Sequence, residues 1–284
     1  MYKLTLKSDF GDIVFGGQLY TPYTITEIEG IASPEATINL SDLALLDGQK
    51  YNSAKANTRT INLAFAIEYG AEANRLNVYR VLRVKKPVRM IYKSELMNVF
   101  IDGYIQNIEI SHFDIKQVVT VTIICPSPYF KAVNAAVYDL SQNVKMFHFP
   151  FSITADDPVP LGTFRSMPIV TVENVGQADT GLIFDCTFTG SVSNLTITDY
   201  DSGEFFKVND DFAADHHLII NTNKGEKSVF LEWAGNRLNE FHNIEPGSTW
   251  FDISGTRTFT FSVDSGNVSD VSIAINLYSL YEGV

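Results

Sequence analysis

Alternating hydrophobic and polar residues run through the first part of the chain and predict β-strands. Residues 1–20 alternate on both sides of a turn at Gly11, which indicates a hairpin. Residues 23–31 alternate with a shift typical of a β-bulge, and residues 59–67 alternate strictly. Between them, residues 40–57 hold too few apolar side chains for a core strand, and we interpret this stretch as a loop.

Helical spacing replaces alternation after residue 70. Leu76, Tyr79 and Leu82 recur at near-helical intervals, and Pro87 follows as a helix stop. The pattern predicts a helix over about residues 71–86, the one segment of the chain that reads clearly as helix.

The predicted helix is also the most basic part of the chain. Six of the 21 Lys and Arg residues lie within 15 positions, namely Arg75, Arg80, Arg83, Lys85, Lys86 and Arg89. Cations near the C-terminal end of a helix are favoured by its dipole, which is one explanation. A basic face that meets an acidic surface of a neighbouring subunit is a second, and contact with nucleic acid is a third. Under the second explanation, the candidate inter-subunit residues are Arg75, Arg80, Arg83, Lys86 and Arg89.

A proline motif marks the end of the first domain. Residues 88–92, 98–105 and 117–125 have the pattern of three consecutive antiparallel strands. The sequence Cys-Pro-Ser-Pro-Tyr-Phe follows at 125–130; its first proline removes a ladder donor, and its second keeps the preceding residue extended. We therefore predict an N-terminal domain of residues 1–133, a β-sandwich with one helix.

The second half of the chain has the pattern of another all-β domain. Residues 134–167 form a proline-containing connector. After it, short apolar runs recur between Gly, Asn and Asp turns and predict nine strands, at 169–172, 182–189, 195–200, 204–208, 217–222, 227–231, 250–253, 257–263 and 271–278. Regular short strands with turn signals predict a β-sandwich domain over residues 134–284, connector included.

Charge is distributed unevenly between the two predicted domains. Residues 1–133 hold 14 Lys and Arg against 13 Asp and Glu, a net of +1, whereas residues 134–284 hold 7 against 20, a net of −13. A strongly acidic half disfavours contact with phosphate backbones, because affinity for nucleic acid comes largely from cations. We therefore do not expect direct binding to nucleic acid.

Cysteine and histidine positions do not indicate a metal or redox site. Cys125 and Cys186 lie among apolar neighbours, so we expect buried, reduced thiols. The adjacent His216 and His217 would point to opposite faces of a strand and could not share one metal ion. The other histidines, at 112, 148 and 242, belong to no recognisable ligand motif.

The remaining candidates for chemistry are also weak. Asp210, Asp211 and Asp215 lack the Gly and the Glu of a calcium-binding EF-hand loop, so we interpret them as solvated turn residues. The nucleophile elbow of hydrolases and the glycine-rich loops of nucleotide-binding proteins are missing. We predict a protein that is not an enzyme and has no catalytic residues, no cofactor and no metal.

Three aromatic residues of the second half allow more than one interpretation. Tyr200, Trp233 and Trp250 could stack on sugar rings if they were exposed on the sandwich. Large aromatics in a sandwich more often belong to the core, and contact with another protein is a further alternative.

The order of several motifs resembles the distal tail (Dit) protein family of long-tailed bacteriophages. In the first domain the resemblance rests on an opening strand, Arg59-Thr60-Ile61, the basic helix before Pro87-Val88-Arg89, Ile101-Asp102-Gly103-Tyr104 and the Cys-Pro-Ser-Pro-Tyr-Phe exit. In the second it rests on residues 203–208, 218–222, 227–229 and Glu245-Pro246-Gly247, which resemble the galectin-like C-terminal domain of that family. The connecting stretch at 131–167 is longer than the family pattern leads us to expect.

The resemblance implies a structural protein of the virion tail tip. Such a protein forms a homo-hexameric ring that joins the tail tube protein to the tail-associated hub protein and, in many phages, to receptor-binding or adaptor proteins. The first domain would form the ring wall, and the acidic second domains would be docking arms. DNA would pass through the channel without specific binding. The opening residues also lack a signal segment, so we expect synthesis in the host cytoplasm and no membrane insertion.

Two other function classes stay open. The first is a carbohydrate-binding module that attaches the virion to host cell-wall glycan, and it predicts that residues 134–284 bind glycans. The second is an enzyme that degrades the wall, and it predicts that activity depends on a pair of carboxylates.

Overall fold

The chain forms two compact units. The computed structural model describes residues 2–17, 20–43, 47–112, 114, 116–141, 143–145, 162–164 and 168–284. One unit comprises Met1–Asn134 and Leu280–Val284, and the other comprises Ala135–Ser279. Most of the predicted connector, including His148, lies outside the described residues.

The first unit is a curled antiparallel sheet. Its strands are β1 Lys3–Ser8, β2 Gly11–Gly16, β3 Tyr23–Glu29, β4 Ala36–Asp42, β5 Gln49–Ala56, β6 Arg59–Ile67, β7 Pro87–Lys93, β8 Asn98–Ile110, β9 Val118–Cys125, β10 Phe130–Ala132 and β24 Leu280–Tyr281. The main sheet has the order β2-β1-β7-β8-β9-β6-β3. Phe15 on β2 lies 4.9 Å from Phe65 on β6 and 6.1 Å from Tyr23 on β3. Strands β2 and β3 are at opposite ends of this order, yet their aromatic rings are in contact. The sheet is therefore strongly curved, and its two end strands face each other across a shared core.

Two buried valines attach the helix to this sheet. Helix α1 spans Ala71–Val81 and buries Val78 and Val81. The hydroxyl of Tyr23 donates to the carbonyl of Asn74 at 3.2 Å. No helix among the described residues is long and apolar enough to cross a membrane.

The helix is shorter than its sequence pattern predicts. It ends at Val81 because Leu82 takes an extended conformation and Lys85 a left-handed one with φ 69°. The backbone N–H of Lys85 then donates to the carbonyl of Ile105 on β8, which turns the chain into the sheet. Pro87 consequently begins β7, a strand position that does not need its missing N–H.

The stretch at 40–57, predicted to be a loop, is largely a β-hairpin. Strands β4 and β5 pair with each other in antiparallel register from Ala36↔Ala56 to Asp42↔Gln49. All of their residues are exposed except Ala56, which is half-buried. The loop prediction was wrong because it required a strand to contribute to the core, which this hairpin does not.

A buried arginine joins three distant segments of the first unit. Arg59 is 4% exposed, and its guanidinium donates to the carbonyls of Pro128, Gly30, Ala32 and Glu282 at 2.5–2.7 Å. These carbonyls belong to the proline motif, to the segment after β3 and to the end of the chain. Arg59 therefore links the predicted exit of the first domain to the C-terminal residues.

The C-terminal residues return to the first unit. Strand β24 pairs with β10, and β10 pairs with β8, so the last residues extend the first sheet. The backbone N–H of Val284 donates to the carbonyl of Ile31 at 3.2 Å. The first unit is therefore made of both ends of the chain, and the second unit lies between two covalent connections.

The second unit is a sandwich of two antiparallel sheets. Its strands are β11 Ala136–Ser141, β12 Asn143–Lys145, β13 Gly162–Phe164, β14 Ile169–Glu173, β15 Thr180–Phe188, β16 Val192–Asp199, β17 Phe205–Phe212, β18 His217–Asn221, β19 Ser228–Trp233, β20 Asn236–Asn239, β21 Asp252–Ile253, β22 Thr256–Ser265 and β23 Val271–Leu277, with short 3-10 helices at Phe241–Asn243 and Val268–Asp270. One sheet has the order β11-β23-β15-β18-β19-β20, and the other has the order β14-β22-β16-β17. Strands β12 and β13 form a separate pair.

Aromatic rings join the two sheets of the sandwich. Phe184 on β15 lies 5.7 Å from Phe259 on β22, and Phe188 on β15 stacks on Phe212 of β17 at 4.5 Å. Such pairs contribute about 0.5–1.5 kcal/mol each beyond the area that they bury. The predicted mainly β fold class, with one α-helix among the described residues, is confirmed.

Both cysteines lie in these cores, as predicted. Cys125 ends β9 in the first unit and Cys186 lies in β15 of the second, and both are free and buried. Burial raises the pKa of the Cys125 thiol to about 11 and holds that of Cys186 well above its usual value. They are structural side chains of low reactivity.

Candidate assembly surfaces

The structure brings two of the predicted basic residues together. Arg80 and Arg83 are exposed at the end of α1, and Nε of Arg83 donates to the carbonyl of Arg80 at 3.2 Å. Nη2 of Arg80 donates to Oδ1 of Asn77 at 2.8 Å. The guanidinium of Arg83 lies 3.7 Å from the ring centre of Phe10, a cation–π contact. Both charges are therefore positioned on the surface while they remain in contact with water.

The other predicted basic residues have different surroundings. Arg75 is half-buried on α1, and Lys86 is exposed in the turn before β7. Arg89 lies in β7, where its guanidinium forms a bidentate ion pair with the Asp102 carboxylate, with N–O distances of 2.7 and 2.8 Å. The same guanidinium lies 4.0 Å from the ring centre of Phe100. The bond with Asp102 raises the pKa of Arg89. Arg89 is thus engaged within its own sheet.

The basic end of the helix carries exposed apolar side chains. Leu76 and Tyr79, predicted from their spacing together with Leu82, are exposed at 58% and 40%, whereas Leu82 is buried. Leu76 precedes Arg80 by four positions, so these two lie on one side of the helix together with Tyr79, and Arg83 follows the helix end, where it bonds back to Arg80. We call Leu76, Tyr79, Arg80 and Arg83 the helix surface.

A second exposed apolar surface lies on the hairpin. Alternation places Ile38 and Leu40 on one side of β4, and Tyr51 lies opposite Leu40 on β5. The three side chains are exposed at 59%, 49% and 60%. We call them the hairpin face. The sequence interpretation missed this face, although the spacing of two between Ile38 and Leu40 was a signal for it.

The three aromatics singled out in the second unit do not form one platform. Trp233 and Trp250 pack against the core, whereas Tyr200 is exposed. Trp233 lies 5.6 Å from His216, while Trp250 stacks at 5.5 Å on Phe241. Phe241, which the sequence interpretation missed, is half-exposed and forms the outer part of this stack.

Charged residues cross the outer side of one sheet of the second unit. His217 on β18 lies opposite Glu232 on β19, which lies opposite Arg237 on β20. Nε of Arg237 is 3.1 Å from Oε1 of Glu232, and Nε2 of His217 contacts Oδ1 of Asp185. Within the part of the chain that the structure describes, no group of three His, Cys, Asp or Glu could hold a metal ion. This row consists of cross-strand pairs on a sheet surface.

The prediction of turn residues was wrong for Asp210 and Asp211, which lie in β17, where their neighbours Val208 and Phe212 are buried in the core. Oδ1 of Asp211 accepts from the hydroxyl of Ser193 at 2.6 Å, and Oδ1 of Asp210 accepts from the backbone N–H of Asp211 at 2.8 Å. Asp215 has a left-handed backbone with φ 66°, which suits a turn.

A buried aspartate organises the turn between β16 and β17. Asp199 is 1% exposed, and its Oδ2 accepts from Arg257 at 2.8 Å. Its Oδ1 accepts from the backbone N–H groups of Asp201 and Ser202 at 3.0 and 3.4 Å. Burial opposes the ionised form, but the bonds from Ser202, Asp201 and Arg257 outweigh it and lower the pKa of Asp199. The ionised carboxylate therefore holds this turn closed.

Comparison of the sequence with protein families gives a match in the second unit. Residues 175–274 match the family described as "Siphovirus-type tail component, C-terminal domain". No curated protein matches the chain.

Comparison with solved structures covers nearly the whole chain. The crystal structure of the SPP1 Dit (gp 19.1) protein, described as a paradigm of the hub adsorption apparatus in phages that infect Gram-positive bacteria, is similar with a TM-score of 0.68 and 13% identity; the similarity covers 97% of this chain and 98% of that one. A chain of the phage P2 baseplate in its activated conformation with Ca is similar with a TM-score of 0.53 and 11% identity, over 97% and 98% of the two chains. At these identities the similarity establishes the fold. Together with the family match over residues 175–274, it bears out the predicted resemblance to the distal tail (Dit) protein family: the second unit carries the C-terminal domain of a siphovirus-type tail component.

Proposed function

We propose that the chain assembles into a homo-hexameric ring at the tail tip. In this role the ring joins the tail tube to the tail-associated hub protein and to receptor-binding or adaptor proteins. The observation that carries the proposal is the fold, which is similar to that of SPP1 Dit over 97% of this chain and 98% of that one. Closed cyclic symmetry is the usual way for a single chain to form a ring.

The surfaces of the two units support a division of roles. The first unit carries two separate exposed apolar surfaces, the hairpin face and the helix surface, as expected for a subunit with a neighbour on each side. The predicted inter-subunit residues Arg80 and Arg83 belong to the helix surface, and Arg75 and Lys86 lie near it in sequence. Because Arg89 is paired with Asp102, we assign it a smaller role in assembly.

The charge of the second unit supports docking to proteins, not to nucleic acid. Residues 135–279 hold 7 Lys and Arg against 19 Asp and Glu, a net charge of −12, so they would repel a DNA backbone and attract basic protein surfaces. In the proposed ring, DNA passes through the channel without specific contacts.

Mass and imaging test the ring. Six copies of the 31.7 kDa chain have a mass of about 190 kDa, which light scattering distinguishes from a monomer. We expect this mass at high protein concentration, or after addition of the hub protein, and negative-stain images of six-fold particles with a central channel. A monomer in both conditions would contradict the proposal.

The carbohydrate-binding alternative is favoured by one observation, the stack of half-exposed Phe241 on Trp250. An exposed aromatic ring can contact the apolar face of a sugar. Binding of the full chain to purified cell-wall glycan, with loss on Phe241→Ala, would support this alternative. No binding by the wild-type chain would exclude it.

A further inference from the structure

The hairpin of β4 and β5 stands outside the hydrophobic core of the first unit. Among the described residues, each of its strands pairs only with the other. A two-stranded hairpin without further packing is marginally stable in water. Its side chains must therefore either be held by one another or be covered by another molecule.

The two sides of the hairpin differ in chemistry. On one side, polar side chains bond across the strands: Thr37 to Asn57 at 2.9 Å, Asn39 to Ser53 at 2.9 Å, and Ser41 to Asn52 at 3.3 Å. The other side carries the hairpin face, three alanines at positions 36, 54 and 56, and at its end one polar pair, in which Nε2 of Gln49 donates to Oδ1 of Asp42 at 2.7 Å. The polar side chains are therefore paired with one another, whereas the three side chains of the hairpin face are left in water.

The exposed apolar area is large enough to contribute to a specific interface. Ile38, Leu40 and Tyr51 together expose on the order of 300 Å², which is comparable to the largest apolar patch of many monomers. A stable interface buries about 800 Å² on each partner, so the hairpin face supplies about a third or more of one side.

We propose that the hairpin face binds the helix surface of a neighbouring copy of this chain. The inference rests on the proposed ring and names the surfaces that would form it. Both surfaces are exposed on the same chain, so neither covers the other within one molecule. Because they are different surfaces, the contact is head-to-tail and can repeat around a closed ring.

Spacing and charge agree with this pairing. On β4, Asp42 follows Leu40 on the same side at a distance of about 6.6 Å. On α1, Arg80 follows Leu76 by four positions, a rise of about 6 Å. An apolar contact between the two leucines brings the Asp42 carboxylate to the Arg80 guanidinium at the edge of the contact, where Oδ2 of Asp42 forms an ion pair while its Oδ1 keeps the bond from Gln49.

Paired substitutions test the apolar contact. Ile38→Asn with Leu40→Asn places polar groups on the hairpin face, and Thr37→Asn with Ser41→Asn is the matched change on the polar side. We expect the first pair to raise the protein concentration needed for half-assembly at least ten-fold in light scattering. The second pair should leave that concentration within two-fold of wild type. Both pairs are exposed, so circular dichroism should show a folded protein.

A charge exchange identifies the partner surface. Asp42→Arg and Arg80→Asp should each weaken assembly several-fold, and the chain that carries both should recover most of it, because every interface then contains a restored pair. A Leu40→Cys and Leu76→Cys chain should also form disulfide-linked multimers under mild oxidation, since the native cysteines are buried.

The outcomes separate this inference from the proposed function. A wild-type ring that is unaffected by changes in the hairpin face, or single charge changes without recovery in the double variant, would overturn the pairing while the ring stands. Loss of hub-protein binding without loss of self-association would overturn it too, because the hairpin would then bind a different protein. A wild-type chain that forms no ring under any condition would contradict both.

Discussion

Replacement of Arg59 by methionine should destabilise the first unit and leave the second unit unchanged. Methionine retains an unbranched apolar stem but removes the donors to Pro128, Gly30, Ala32 and Glu282. Hydrogen bonds to a charged group contribute roughly 1.5–3 kcal/mol each. Bonds that share one side chain are not additive, so we expect a loss of about 3–5 kcal/mol in the free energy of unfolding.

The two tryptophans make this effect easy to localise. Trp233 and Trp250 both lie in the second unit, so tryptophan fluorescence reports on that unit, whereas far-ultraviolet circular dichroism reports on both. With a urea dependence of about 2 kcal/mol/M, the expected loss moves the unfolding midpoint of the first unit by about 2 M. The fluorescence midpoint should stay in place.

Arg89→Met is the matched control for this experiment. Arg89 also bonds to oxygen atoms and covers an aromatic ring, but its side chain is 48% exposed. Exposed pairs of this kind contribute about 0.2–1 kcal/mol. If Arg59→Met costs no more than Arg89→Met, the proposed role of Arg59 in joining the three segments is wrong.

Three further results are expected from glycine, cysteine and aspartate positions. Gly30→Ala should lower the free energy of unfolding in urea by more than about 2 kcal/mol, because the added Cβ would lie 2.0 Å from the carbonyl oxygen of Thr60. Gly203→Ala is the control, since Gly203 has a similar φ but open space around it, and this change should cost about 1 kcal/mol. Equal losses in the two variants would contradict the steric argument. Cys125, with its pKa raised to about 11, should react with a thiol reagent at pH 8 only after unfolding in urea, and rapid native labelling would refute its burial. Asp199→Asn should lower stability at pH 7 by about 1–3 kcal/mol, less than for a fully buried pair since Arg257 is 31% exposed. Because the folded pKa of Asp199 is lowered, this contribution is present above the unfolded pKa and is lost as the pH falls through the folded value, so wild type and variant should converge in acid.

The strands of the second unit were predictable because they alternate and bury one side. The run predicted at 257–263 is β22, Thr256–Ser265, in which Phe259 and Phe261 are buried. Strand β20, Asn236–Asn239, was missed because all four of its residues are exposed. Alternation of apolar and polar residues marks a strand only where one side of that strand contacts the core. An edge strand without this contact, such as β20, therefore shows no alternation in the sequence.

The helix illustrates a different limit. Its existence was predictable, but its buried side was not, because Val78 and Val81 repeat at the same interval as Leu76 and Tyr79. Packing against Tyr23 and β2 selects the valines. The basic residues cluster along the chain, but their surroundings differ, because Arg89 is bound to Asp102 through strand pairing that the sequence does not reveal.

The return of the chain through β24 has a consequence for how such proteins can vary. In the second unit, the first and last long strands, β11 and β23, are paired from Ala136↔Leu277, so its entry and exit points are neighbours. In the first unit, β10 and β24 pair with each other, so the two connections to the second unit also start from neighbouring strands. A domain with adjacent ends can be exchanged as a cassette without breaking the host sheet, and a load on it is shared by two covalent connections. This architecture lets the second unit change while the first unit keeps its own core and strand pairing.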